Sequence, residues 1–228
     1  MKKFLFLISF MCIFNSVDAQ QFNELINLQR YKIANAALPV PADGEKRVVF
    51  IGNSITQGWA GQRPDFFKSN NYIGRGIGGQ TSPQLLSRFR QDVIDLQPYA
   101  VLINIGTNDI AENTGPYDEA FTLGNIMSMA ELAQANGIKV ILSSVTPAGG
   151  YPWRKEIKDV PAKIMSLNKK IEEYAAKNCF PYIDYFAVMH DKDMALIAEY
   201  GSDGVHPVAK GYEVMESLAK KVIDEVLK

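Results

Sequence analysis

Short apolar runs alternate with longer stretches of helical periodicity along this chain. Residues 47–51, 71–73, 100–105, 138–143 and 180–183 are rich in Val, Ile, Leu and aromatics, and they read as strands. Residues 100–105 are apolar almost throughout, which argues for a central position in a sheet. Between the runs, apolar residues recur at helical spacing: Leu85, Leu86 and Phe89 in 82–96, Ile164, Leu167, Ile171 and Tyr174 in 161–177, and Val214, Leu218, Val222 and Val226 after Pro207. A helix is also predicted over 117–136, with Gly137 just past its end, and Ser82-Pro83 reads as a capped helix start. Residues 22–38 carry Leu25, Leu28, Ile33, Ala36 and Ala37 on a roughly helical face, which predicts an extra amphipathic helix on the exterior of the sheet. Residues 147–160 form the one long irregular stretch. Strand and helix alternate five times, which predicts an α/β fold: a parallel sheet with right-handed crossovers and helices on both faces.

Composition narrows the class. The 228 residues suit one domain with a full α/β core, and a formal net charge of −1 gives no electrostatic case for nucleic acid or an anionic membrane. Lys2 and Lys3 precede an apolar segment over 4–14 that is short for a membrane span, and Val17-Asp18-Ala19 places small residues at a cleavage site. Residues 1–19 therefore read as a signal peptide, leaving a single domain over 20–228 exported to the periplasm or outside the cell. No stable membrane insertion is expected after cleavage. Phe10-Met11 before Cys12 lacks the small residue of a lipoprotein signal. Cys179 then remains as the only cysteine, so no internal disulfide forms, and it is expected to pack as a small hydrophobe.

The candidate chemistry gathers at predicted strand ends. The run Val48-Val49-Phe50-Ile51 stops at Gly52-Asn53-Ser54, the way a buried parallel strand delivers a serine to its carboxyl edge, where ligands of open α/β sheets bind. Asp203 and His206 lie three residues apart before a helix start. A base that takes a proton from serine needs a neutral imidazole and a partner that fixes its tautomer, and a carboxylate on the same loop supplies one. On these residues alone, an Asp203 turn with His206 capping the helix is the competing reading. Asn108, at the end of the third strand, can donate to an oxyanion or cap the next segment. Gly74 to Gly79 match G-x-G-x-x-G, but the strand before them is short, partly polar and not the first, so a dinucleotide site is disfavoured. Glycines that let backbone N–H groups approach a reacting oxygen are the better reading. With two His and no Cys cluster, no metal site is expected, and His190, beside Asp191, reads as a loop residue.

These segments together resemble the SGNH or GDSL hydrolase family across residues 48–211. Gly52-Asn53-Ser54-Ile55, Gly78-Gly79-Gln80-Thr81, Gly106-Thr107-Asn108-Asp109 and Asp203-Gly204-Val205-His206-Pro207 stand in the order of its four blocks. The resemblance implies a flavodoxin-like three-layer α/β/α sandwich with Ser54 as nucleophile, His206 as general base and Asp203 orienting it. It also implies an oxyanion hole from the N–H groups of Ser54 and Gly79 and the Asn108 side chain, and no cofactor. Asn53 and Gln80 depart from the family pattern, each standing where Asp is common.

The acyl group and its alcohol are less legible. Trp59, Tyr117, Trp153 and Arg154 are candidate substrate contacts at the catalytic edge, with Trp153 the best platform for a sugar face, whereas Phe66 and Phe67 read as core. Hydrolysis of small acyl esters, chiefly O-acetyl groups on carbohydrates, is the first expectation. A lysophospholipase or thioesterase is the alternative among enzymes. A non-catalytic carbohydrate- or lipid-binding protein on the same scaffold and a flavodoxin-like cofactor binder are the alternatives outside it.

Overall fold

The computed structural model describes residues 24–228, so the predicted signal peptide lies outside the described residues. Five parallel strands form one sheet: β1 (Val48–Gly52), β2 (Tyr72–Gly76), β3 (Ala100–Asn104), β4 (Lys139–Ser143) and β5 (Tyr182–Ile183), in the spatial order β2-β1-β3-β4-β5. In register, Gly52 of β1 stands beside Gly76 of β2 and Asn104 of β3, so three strands end at one level. The chain leaves β1 towards β2 on one side and returns to β3 on the other. That reversal opens a crevice at the carboxyl edge, where an α/β sheet binds its ligands.

Period-two alternation sorts the strand side chains between two cores. Val49, Ile51, Val101, Ile103, Val140 and Leu142 face one layer, made by α4 (Ser82–Asp92), α6 (Glu119–Ala135) and α7 (Val160–Lys177). Val48, Phe50, Ala100, Leu102, Ile141 and Ile183 face the other, made by α2 (Ser54–Gln62), α3 (Pro64–Ser69), α8 (Tyr185–Met189) and α9 (Ala209–Val226). The three-layer α/β/α arrangement follows, because a sheet buried on both faces needs apolar residues at every position.

Several expected boundaries move. Strand β2 continues through Gly74-Arg75-Gly76, which had read as loop. The glycine there serves packing: a Cβ on Gly76 would lie 2.1 Å from the backbone N of Gln57, where α2 crosses the strand end. The cap of α4 is Thr81, one residue before the expected Ser82, and it forms a capping box with Gln84. Cys179 is exposed and not packed. It holds the left-handed position after α7 (φ 55°), a place usually taken by Gly.

The predicted amphipathic helix over 22–38 is broken. Asn27 adopts φ 58°, and regular helix resumes as α1 only at Lys32–Ala36. Leu25 and Ile33 are 57% and 85% exposed, so the expected apolar face does not pack, although Ile26 is buried. The segment is held by polar contacts instead. Side-chain amides of Gln80, Gln84 and Gln91 donate to the carbonyls of Ile26, Leu25 and Leu28. Asn35 Nδ2 donates to Asp92 Oδ1 at 2.6 Å, and Arg75 Nε donates to Asn35 Oδ1 at 2.7 Å.

That network leads to Arg88, whose side chain is 0% exposed. Its guanidinium donates to Asp92 Oδ2 at 2.9 Å, Gln80 Oε1 at 2.6 Å and the Gly52 carbonyl at 2.9 Å. Removing one partner of a buried ion pair leaves the other charge uncompensated, at a cost of about 3–5 kcal/mol. Arg88→Ala is therefore expected to lower the urea unfolding free energy by about that amount with little change in m-value. A loss below about 1 kcal/mol would show that Asp92 does not depend on Arg88 for its compensation.

Candidate active site

Ser54 is the first residue of α2, directly after β1. Asn53 caps the helix by accepting from Ile55 N at 3.0 Å, which aims the Ser54 hydroxyl out over the carboxyl edge. Ser54 Oγ lies 2.9 Å from His206 Nε2, and His206 Nδ1 lies 2.7 Å from Asp203 Oδ2. A chain separation of 152 residues is closed by the loop between β5 and α9, which folds back through a bridge between Gly201 and Pro207. The other oxygen of Asp203 accepts from Val205 N at 3.0 Å and His206 N at 2.8 Å, so the carboxylate is fixed by its own turn before it meets the ring. Burial pushes the Asp203 carboxyl up, but the His206 and Val205 N–H groups and the imidazole together hold it below the usual carboxylate range. A carboxylate at Nδ1 keeps that nitrogen as a donor and leaves Nε2 to accept the serine proton.

The glycine block lies against the serine. A Cβ on Gly78 would be 3.8 Å from Ser54 Cβ. Gly79 has φ +77°, a conformation that glycine adopts without strain. Asn108, in the short helix α5 (Thr107–Ile110), is buried, and its Nδ2 donates to the Gln80 carbonyl at 3.0 Å. An amide group has two N–H bonds, so Asn108 can serve Gln80 and a second acceptor together. The loops after β1, β2, β3 and β5 thus bring Ser54, Gly79, Asn108, Asp203 and His206 to one edge. The set is able to deprotonate a serine and to donate hydrogen bonds to an anion formed beside it.

The expected substrate contacts divide. Trp59 is buried in the second core, stacked on Phe66 and Tyr212 with centroids 5.7 and 5.9 Å away, and its Nε1 donates to Glu216. Five residues of α-helix turn it about 140° from Ser54, which places it under the site. Phe67 is buried beside it and Phe66 partly so, as core residues. Tyr117 packs on the first core with its hydroxyl buried, and desolvation pushes the phenol up, so it is a packing residue and not a polar contact at the rim. Arg154 is spent on its neighbours, donating to the Glu112 carbonyl at 2.7 Å and to Glu156 Oε1 at 2.6 Å. Trp153 alone keeps the expected position: it is 41% exposed, with its ring centroid 5.8 Å from that of His206.

Three supporting residues carried no recognised role in the sequence. Asp109 is buried and accepts from Ser82 N at 2.9 Å and from Ser82 Oγ at 2.6 Å, tying the asparagine block to the start of α4. Desolvation pushes its carboxyl up against the pull of those bonds. Gln57 Oε1 accepts from Gly78 N at 2.7 Å, and Asn113 Nδ2 donates to the Gly79 carbonyl at 3.1 Å. Gln57 was findable as the residue one helical turn after Ser54, whereas Asn113 sits in a loop with no pattern. His190 bonds the Asp191 carbonyl and packs on Phe186, in keeping with a loop residue. Among the described residues, no group of three or more His, Cys, Asp or Glu is placed to hold a metal ion. No described helix is long and apolar enough to cross a membrane.

Known proteins are similar to this chain in sequence or in fold. A GDSL-like lipase from Bacteroides thetaiotaomicron VPI-5482 is 58% identical, matches 88% of this chain and 98% of its own, and superposes with a TM-score of 0.87. A multidomain esterase from Ruminococcus flavefaciens is 32% identical over 133 residues, 58% of this chain and 16% of that protein. An acetylxylan esterase from Xylanibacter ruminicola is 24% identical over 226 residues, 82% of this chain and 45% of that protein. The chain spans at most half the length of the curated relatives it matches. The model of the GDSL-like Lipase/Acylhydrolase family matches residues 50–214, more than half of the chain and all four blocks, and the chain belongs to that family.

Proposed function

We propose that this protein is a serine esterase that removes small acyl groups, chiefly O-acetyl, from carbohydrates. The observation that carries the reading is the relay from Ser54 Oγ to His206 Nε2 at 2.9 Å and from His206 Nδ1 to Asp203 at 2.7 Å, on loops that also present Gly79 and Asn108. In the proposed reaction Ser54 Oγ attacks the ester carbonyl carbon while its proton passes to His206 Nε2. The carbonyl π electrons move to oxygen, and the oxyanion accepts from the Ser54 and Gly79 N–H groups and from Asn108 Nδ2. Collapse breaks the bond to the alcohol oxygen, which takes the proton from His206. Water then attacks the acyl-enzyme by the same route, releasing the acid and restoring Ser54.

The substrate reading rests on Trp153. His206 must reach the leaving alcohol, so an exposed indole beside its ring faces the alcohol half of the ester. A flat apolar face there suits a sugar. The kinship with an acetylxylan esterase supports the same substrate class. In this reading residues 20–228 act as one exported domain after removal of the predicted signal peptide.

Ser54→Ala is expected to lower p-nitrophenyl acetate hydrolysis by about 10⁴-fold or more and to abolish labelling by a fluorophosphonate. A folded wild type that neither hydrolyses nor labels would move the weight to a binding module, and a preference for octanoyl over acetyl esters would favour a lysophospholipase or thioesterase. Trp153→Ala should cost about tenfold more in kcat/KM for acetylated xylo-oligosaccharides than for p-nitrophenyl acetate. Equal losses on the two substrates would remove Trp153 as a sugar platform.

The Asp203 carboxyl also predicts a pH signature. Its pKa is depressed in the folded chain, so its contribution to stability is complete above the unfolded value of about 4 and disappears as pH falls through the folded value. The Tm difference between wild type and Asp203→Asn should be steady above about pH 5 and shrink below about pH 4. A difference that persists undiminished at pH 3 would contradict the shift.

A further inference from the structure

Gly79 poses a mechanical problem for the proposed oxyanion hole. Its N–H must keep one direction, yet glycine at φ +77° is the residue with the least intrinsic restraint. The donor belongs to the Gly78–Gly79 peptide. On one side of that peptide, the Gly78 N–H is anchored to Gln57 Oε1 at 2.7 Å. On the other, the Gly79 carbonyl accepts from Asn113 Nδ2 at 3.1 Å. The donor peptide is therefore bracketed by two side-chain amides, one from α2 and one from the loop after α5.

Asn113 is itself held at two further points. Its backbone N–H donates to the Asn108 carbonyl at 3.1 Å, and its Oδ1 accepts from Trp153 Nε1 at 3.1 Å. Trp153 stacks at a tilt on Tyr151, with centroids 5.3 Å apart, and faces the His206 ring. Arg154 secures the same junction from the other side by donating to the Glu112 carbonyl.

We propose that Asn113 is a positioning residue for the oxyanion hole and that Trp153, through its indole N–H, holds Asn113 in place, so that the surface that receives the alcohol half of the ester is mechanically tied to the donor that meets its carbonyl oxygen. The inference rests on the esterase reading above. It gives Trp153 a second role, distinct from its ring face, that any aromatic lacking the N–H would lose.

The test uses the mature chain and p-nitrophenyl acetate, a substrate without a sugar. Asn113→Ala removes both bonds without adding charge and is expected to lower kcat about tenfold, a fraction of the 10²–10³ that loss of a whole oxyanion donor costs. KM and the acid limb of the kcat/KM pH profile should not move, because Ser54, His206 and Asp203 are untouched. Trp153→Phe keeps the ring but not the N–H and should cost about threefold in kcat. The double variant should be no worse than Asn113→Ala, since both act through one strut. Hydrogen exchange of the 78–80 amides should quicken in Asn113→Ala while that of 203–206 stays as in wild type. A kcat within twofold of wild type for Asn113→Ala, multiplicative losses in the double variant, or unchanged exchange at 78–80 would each overturn the proposal. Should Asn113→Ala not fold, Trp153→Phe alone decides it by the same kcat and exchange readouts. An inactive wild type whose 78–80 exchange still responds would defeat the esterase reading while leaving the strut standing.

Discussion

A fully buried guanidinium holds the molecule's working edge together. Arg88 sits on α4, in the layer beneath the sheet's first face, yet it bonds the carbonyl of Gly52 at the end of β1 and the side chain of Gln80 in the glycine block. Those two segments carry Ser54 and Gly79. Taking a charge out of water costs several kcal/mol, and only a full set of partners offsets it. Asp92 supplies the counter-charge and passes the connection on to Asn35, Arg75 and the N-terminal segment. A buried polar network with every partner satisfied rigidifies the segments it joins. That stiffness is what a site built on four loops requires.

The same network explains where reading the sequence succeeded and where it failed. Val48 to Gly52 and Ala100 to Asn104 were legible because strands buried on both faces leave no choice but continuous apolar residues. Strand β2 was half legible, since it lies at the sheet's edge and spends its glycines on close approach by α2, which reads as loop. The segment before β1 misled for a different reason. Its leucines and isoleucine suggested a packed helix, but its fixed points are backbone carbonyls met by glutamine side chains, and no hydrophobic periodicity encodes such bonds.

At the site the contrast is sharper. Ser54, Asp203 and His206 were legible as a set because four short blocks stand in the order of one family, whereas the residues alone left a strand-end turn and a helix cap as competing readings. Trp59 and Trp153 looked alike as aromatics near the edge, and only the helix phase of one and the loop position of the other separate a core residue from an exposed one. Asn113 could not be found at all, because it depends on a loop that brings it to Gly79 across 34 positions. Asp109 and Asp203 show that chemistry follows surroundings. Burial raises the first carboxyl, whereas hydrogen bonds from its own turn and from His206 lower the second.

The choice of supporting side chains around Ser54 has an electrostatic logic. Asn53, Gln57, Gln80, Asn108 and Asn113, the residues that cap, bracket and brace the serine and glycine blocks, are all neutral amides. An amide can donate and accept at once, so it can lock a peptide while adding no net charge. A carboxylate in these places would add negative charge on the side of the site where the proposed reaction develops an oxyanion. Negative charge is instead kept behind His206, where Asp203 meets Nδ1, and at the start of α4, where Asp109 is boxed in by Ser82. The two departures from the family pattern, Asn53 and Gln80, fit this arrangement. Asn53 keeps the cap to Ile55 and Gln80 keeps the bond to Arg88, so each retains one acceptor oxygen. The second oxygen of an aspartate is replaced by an amide nitrogen, which in Gln80 donates to the Ile26 carbonyl and in Asn53 is buried without a partner among the described residues.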